Sequence, residues 1–81
     1  MRIAFNTYRK VSPEVGEVEF VIRKVTDDFF GGSYKDIKMS YMKNDRKVSR
    51  TFIIDECGRI KFKNACKKLG IAADYILAQV F

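Results

Sequence analysis

Val48-Ser49-Arg50-Thr51-Phe52-Ile53-Ile54-Asp55-Glu56-Cys57-Gly58-Arg59-Ile60-Lys61-Phe62-Lys63-Asn64-Ala65-Cys66-Lys67-Lys68-Leu69-Gly70 is the stretch in which the apolar period of this chain changes. Up to Asp55 the period is two. Val48, Phe52 and Ile54 alternate with Ser49 and Thr51, which predicts a strand over residues 48–55 with Arg50 as an inward-phase charge near its open end. Beyond Asp55, Phe62, Ala65, Cys66 and Leu69 stand at i, i+3, i+4 and i+7, one stripe of a helix centred near residues 58–69. Leu69-Gly70-Ile71 has the form of a glycine-terminated helix stop. Asp55 or Glu56 suits the positive N-terminal end of that helix, and Lys67 and Lys68 suit its negative C-terminal end.

Upstream, alternation continues. Tyr34 to Lys43 sets Ile37, Met39 and Tyr41 on one face and Tyr34, Asp36, Lys38, Ser40 and Met42 on the other, with Asn44-Asp45-Arg46 as the next turn. Glu17 to Val25 sets Val18, Phe20 and Ile22 against Glu19, Val21, Arg23 and Val25, and Phe29-Phe30-Gly31-Gly32-Ser33 reverses the chain after it. Arg2 to Lys10 reads as a short first strand ending at Ser12-Pro13. Ala72 to Phe81 is apolar, and its periodicity fits either a second short helix starting near Asp74 or a last strand. The expected fold is therefore α+β: an antiparallel sheet of four to five strands followed by one packed helix, in a single domain spanning residues 1–81. Its expected core is Phe20, Ile22, Ile37, Met39, Phe52, Ile54, Phe62, Ala65, Cys66 and Leu69.

Composition narrows the function. The chain of 81 residues is 47% hydrophobic and carries 16 Lys and Arg against 10 Asp and Glu, for a net charge of +6. That is too apolar for a disordered segment and too charged for a membrane protein. Asn6 and Arg9-Lys10 interrupt the N-terminus before a signal-peptide core forms, so a cytoplasmic location is expected. Without histidine, Cys57 and Cys66 cannot complete a tetrahedral zinc site, and the Ser-His and Cys-His arrangements of hydrolases are absent, so neither an enzyme nor a cofactor is expected. Cys66 lies in the apolar stripe; Cys57 lies near the helix start.

Charge is segregated. Residues 1–33 hold five bases and five acids, so the whole excess belongs to residues 34–81. On the helix, Arg59, Lys61, Lys63, Lys67 and Lys68 follow Glu56 with no further acid, a pattern that suits a polyanion backbone and equally suits a solvated face. A second candidate surface is the outward side of the sheet, where Tyr34, Lys38, Ser40, Met42, Arg23 and Tyr8 mix aromatic and basic groups. Bases of a single strand stack on such rings while cations track phosphates; the same tyrosines would also serve a second apolar layer or a dimer contact. The pairs Asp27-Asp28 and Asp55-Glu56 sit at element ends, where acids cap or are solvated, so no metal site is expected. Phe81 reads as a core plug more than a docking hook.

The order strand, glycine turn, strand, polar turn, Arg-bearing strand Arg50-Thr51-Phe52, then Gly58-Arg59-Ile60-Lys61-Phe62-Lys63-Asn64-Ala65-Cys66-Lys67-Lys68-Leu69-Gly70-Ile71 resembles small phage-encoded proteins found beside recombination genes. Those resemble single-stranded-DNA binders of the oligonucleotide-binding fold. The family continues with further strands past the equivalent of Phe81, so the resemblance implies an OB-like or partial barrel, in a host cytoplasm. Four strands and a helix are also similar in order to transcription-coactivator-type single-stranded-DNA binders, whose dimers bind with their sheets. The expected function is non-specific single-stranded nucleic-acid binding through Tyr34, Lys38, Arg23, Arg50, Arg59, Lys63, Lys67 and Lys68. The alternative is a small interaction module or inhibitor that docks on an acidic or nucleic-acid-binding host protein. An open sheet edge or the apolar tail predicts a homodimer.

Overall fold

The computed structural model describes residues 2–27, 29 and 31–80. Four strands, β1 (Arg2–Ser12), β2 (Gly16–Asp27), β3 (Gly32–Lys43) and β4 (Arg46–Ile53), precede two helices, α1 (Glu56–Lys68) and α2 (Ala73–Ala78). The sheet is antiparallel and open, in the order β1-β2-β3-β4, so β1 and β4 are its edges. The tail resolves as a six-residue helix rather than a strand, which makes four strands and two helices where one packed helix was expected.

β1, β2 and β3 run longer than their alternation alone indicated, because hairpin pairing continues to the turns; β4 keeps eight residues but begins at Arg46 and ends at Ile53 instead of spanning 48–55. Ser12 pairs with Gly16 and Lys43 with Arg46. Asn44 and Asp45 both take positive φ, 51° and 62°, which is the two-residue turn whose twist matches the flanking strands. In the expected glycine turn, Gly31 has positive φ while Gly32 already belongs to β3; Phe30 lies outside the described residues, as do Asp28 of the first carboxylate pair and Phe81.

Directly opposed residues share a face, so the register sorts the sheet into two sides. Val18, Phe20, Ile22, Ile37, Met39 and Phe52 line the covered side and are buried in one cluster with residues of α1 and of the α2 segment. Phe62 of α1 stands edge-on to Phe20 at 5.9 Å and to Phe52 at 5.5 Å between ring centroids. Ala65, Cys66 and Leu69 complete the expected stripe, and Ile71, Ile76, Leu77 and Val80 extend the core into the α2 segment. Ile54 is only half-buried, since β4 ends at Ile53 to let Asp55 cap α1.

Local chemistry fixes where α1 begins and ends. The Asp55 carboxylate accepts the Gly58 N–H at 2.6 Å. A Cβ on Gly58 would lie 1.6 Å from the Ile53 carbonyl oxygen, so only glycine lets the helix start this close to β4. At the other end the Gly70 N–H reaches the Lys67 carbonyl and the Ile71 N–H reaches the Cys66 carbonyl, a Schellman closure that needs the positive φ of Gly70. Buried Ser12 ties this end to the β1–β2 turn: its hydroxyl donates to the Leu69 carbonyl at 2.5 Å and accepts the Glu14 N–H at 3.0 Å.

Candidate nucleic-acid interface

The helical stripe that buries Phe62, Ala65 and Cys66 leaves the rest of α1 in solvent. Arg59, Lys61, Lys63, Lys67 and Lys68 are all exposed. Helical spacing divides them. Lys61 and Lys68, with Asn64 between them at i+3 and i+7, form a row on the β4 side; Lys61 lines a shallow cleft with Thr51, Phe52 and Ile53. Arg59 and Lys63 lie on the α2 side, lining a groove with Asp74, Leu77 and Ala78. The edge strand β4 adds exposed Arg46, Lys47 and Arg50 with no acid among its residues. Arg50 projects to the covered side, where its guanidinium lies 5.0 Å from the centre of the Phe52 ring. The basic side of the molecule is therefore α1 together with β4.

The open side of the sheet has a different character. Arg23 and Asp36 oppose each other there, and the guanidinium donates two bonds to the carboxylate, Nε at 2.8 Å and Nη2 at 2.5 Å. This bidentate hydrogen bonding, then the Asp36 charge itself, raises the Arg23 pKa. Asp36 is only 2% exposed, so Arg23 is held as its counter-ion instead of standing free for phosphate as expected. Arg9 is likewise paired, with Glu17 at 3.4 Å and Glu19 at 3.3 Å. Ser40 and Ser49 bond across β3 and β4 at 3.2 Å. Lys38 is exposed on this side, and Tyr34 is 49% exposed at its far end.

The expected set thus splits between two sides. Arg59, Lys63, Lys67 and Lys68 share α1, Arg50 projects to the covered side of neighbouring β4, and Tyr34, Lys38 and Arg23 lie on the open side. Tyr8 is corrected: it opposes Phe20 on the covered side, half-buried, with its ring edge-on to Tyr75 at 6.2 Å. Lys10 covers the same Tyr75 ring at 3.9 Å. Reading β1 without its register misplaced Tyr8 and left Phe5 unassigned, although Phe5 is the aromatic residue that β1 presents on the open side, 64% exposed beside Arg23. The Arg23–Asp36 pair was equally hidden, because alternation puts both residues outward but only pairing puts them opposite one another.

Cys57 is exposed and Cys66 buried, and burial raises the Cys66 pKa from 9.0 to about 11, leaving a neutral packed thiol. Among the described residues no cluster of His, Cys, Asp or Glu is placed to hold a metal ion, and no helix is long and apolar enough to cross a membrane. Set beside known protein families, curated proteins and solved structures, the chain matches none of them.

Proposed function

We propose that this protein binds single-stranded nucleic acid without reading its sequence, holding the phosphate backbone along α1 and across the β4 edge. One observation carries the proposal. Lys61, Lys63, Lys67 and Lys68 of α1 and Arg46, Lys47 and Arg50 of β4 are exposed with no acid interleaved, whereas Arg9 and Arg23 of the sheet are paired with carboxylates within the fold. Ammonium and guanidinium groups in the first arrangement replace condensed counterions on a polyanion; those in the second do not. Tyr34, with Lys38 on the same side, supplies a ring on which a base can stack once the strand has passed round β4. The order β2, glycine turn, β3, polar turn, β4, α1 is that of the phage-type resemblance, and four strands followed by a helix is that of the coactivator-type one; the partial-barrel likeness and a cytoplasmic site of action belong to the same proposal.

The exposed Ile3, Phe5, Tyr34 and Ile53 of the open side favour a second reading, an interaction module that docks on a host protein. Fluorescence anisotropy with a labelled oligonucleotide separates the two. The first reading expects binding at low salt that weakens steeply as salt is added, and competition by unlabelled single strands of any sequence. Absence of oligonucleotide binding, together with capture of a protein from nuclease-treated lysate, replaces the first reading by the second.

A further inference from the structure

The two edges of the sheet differ in the one property that decides whether an edge can meet its own copy. β4 carries Arg46, Lys47 and Arg50 and no acid, so two β4 edges repel. β1 contains an uncharged run, Ile3-Ala4-Phe5-Asn6-Thr7-Tyr8, without proline or glycine. The cations that follow this run are engaged inside the monomer, Arg9 by Glu17 and Glu19 and Lys10 by the Tyr75 ring. In the strand order of the described residues, β1 has β2 on one side and no strand on the other. A long uncharged edge of this kind exposes a row of unpaired backbone N–H and C=O groups that template another strand.

We infer that β1 pairs antiparallel with β1 of a second copy, joining two sheets into one of eight strands. Symmetry restricts the register. A two-fold axis through the junction keeps both α1 helices on the same side, and opposed residues share a face, so odd-numbered residues must oppose odd-numbered ones. The pairing that sets Phe5 against Phe5, Ala4 against Asn6 and Ile3 against Thr7 keeps charge out of the centre and places an aromatic pair on the axis. It also merges the exposed Ile3 and Phe5 side chains of both copies into one strip on the open side. The basic β4 edges then lie at the two outer ends, as far from each other as the joined sheet allows.

The test uses nuclease-treated protein, so that bridging nucleic acid plays no part and the result is independent of the proposed function. Sedimentation across a concentration series is expected to give twice the 9.4 kDa chain mass. Phe5→Lys and Phe5→Glu should each be monomeric with unchanged circular dichroism, and an equimolar mixture of the two should recover the dimer, because opposite charges then meet on the axis. In a Cys57→Ser background, Phe5→Cys should oxidise to a covalent dimer. Thr7→Cys should not, since its counterpart lies four residues along, roughly 13 Å away, beyond the reach of about 7 Å between α-carbons that a disulfide allows. A wild-type monomer, a Phe5→Lys dimer, or cross-linking of Thr7→Cys as rapid as that of Phe5→Cys would each overturn the inference.

Discussion

Gly58 is the residue whose side chain, were it to have one, the fold could least accommodate. A Cβ there would overlap the Ile53 carbonyl, and the Asp55 cap on the Gly58 N–H holds the two segments in that approach. Gly58→Ala should therefore cost about 3 kcal/mol or more, measured as a shift in the denaturant midpoint with little change in slope. At Asp45 the direction reverses. Its positive φ is one that glycine takes at no steric cost, so Asp45→Gly should stabilise by about 0.5 to 1 kcal/mol, read from thermal melts. The raised pKa of Cys66 sets a third expectation. The unfolded thiol ionises near 9 while the folded one holds its proton until about 11, so the folded state binds more protons in that interval. Stability should fall as pH rises from 9 towards 11, with a shallower decline in Cys66→Ala. A thiol reagent should label Cys57 in the native protein and reach Cys66 only on unfolding.

At the scale of elements, α1 is fastened to the sheet by its stripe and at both ends. Leu69 is buried at the C-cap, and its carbonyl is held by the Ser12 hydroxyl of the β1–β2 turn. Leu69→Ala should cost on the order of 2 to 5 kcal/mol, seen by chemical denaturation. α2 is held differently, by Ile76, Leu77 and Val80 in the core and by the Lys35 ammonium, which donates to the Val80 carbonyl at 2.6 Å. The Val80 carbonyl lies just past the C-cap of α2, so this bond fastens the chain leaving the helix to β3. A helix of six residues has too few internal bonds to stand alone, so packing is what makes the tail helical.

For the whole molecule, the distribution of charge between two sides determines what binding measurements should show. Reversing Lys63 and Lys67 to Glu should weaken all oligonucleotides alike and make the log-log salt slope shallower by about 0.7 for each phosphate that is no longer neutralised. Tyr34→Ala should instead cost roughly 1 to 3 kcal/mol of affinity if a base stacks on the ring, with the slope unchanged. An Arg23 substitution should act on stability before binding, because it strands the buried Asp36 carboxylate without its counter-ion. Anisotropy titrations at several salt concentrations, paired with melts of the same variants, distinguish these three outcomes.

Periodicity determined the four strands, the helix after Asp55 and the part of the core shared by the sheet and α1, because burial on one face of a strand or helix leaves a repeat of fixed length in the chain; Ile71, Ile76, Leu77 and Val80 of the core came only with the tail's packing. It also located the positive charge in residues 34–81 and on α1, since charge is a property of composition. Tertiary structure decided what depends on which residues become neighbours. Pairing register turned Arg23 into the partner of Asp36, sent Tyr8 beneath α2 and left Phe5 on the open side. The tail became a helix through packing against residues distant in sequence, where local period is silent. The separation of Tyr34 and Lys38 from the α1 cations has the same cause: a strand's alternation gives two faces, and only the packing of a helix on one of them says which face is inside.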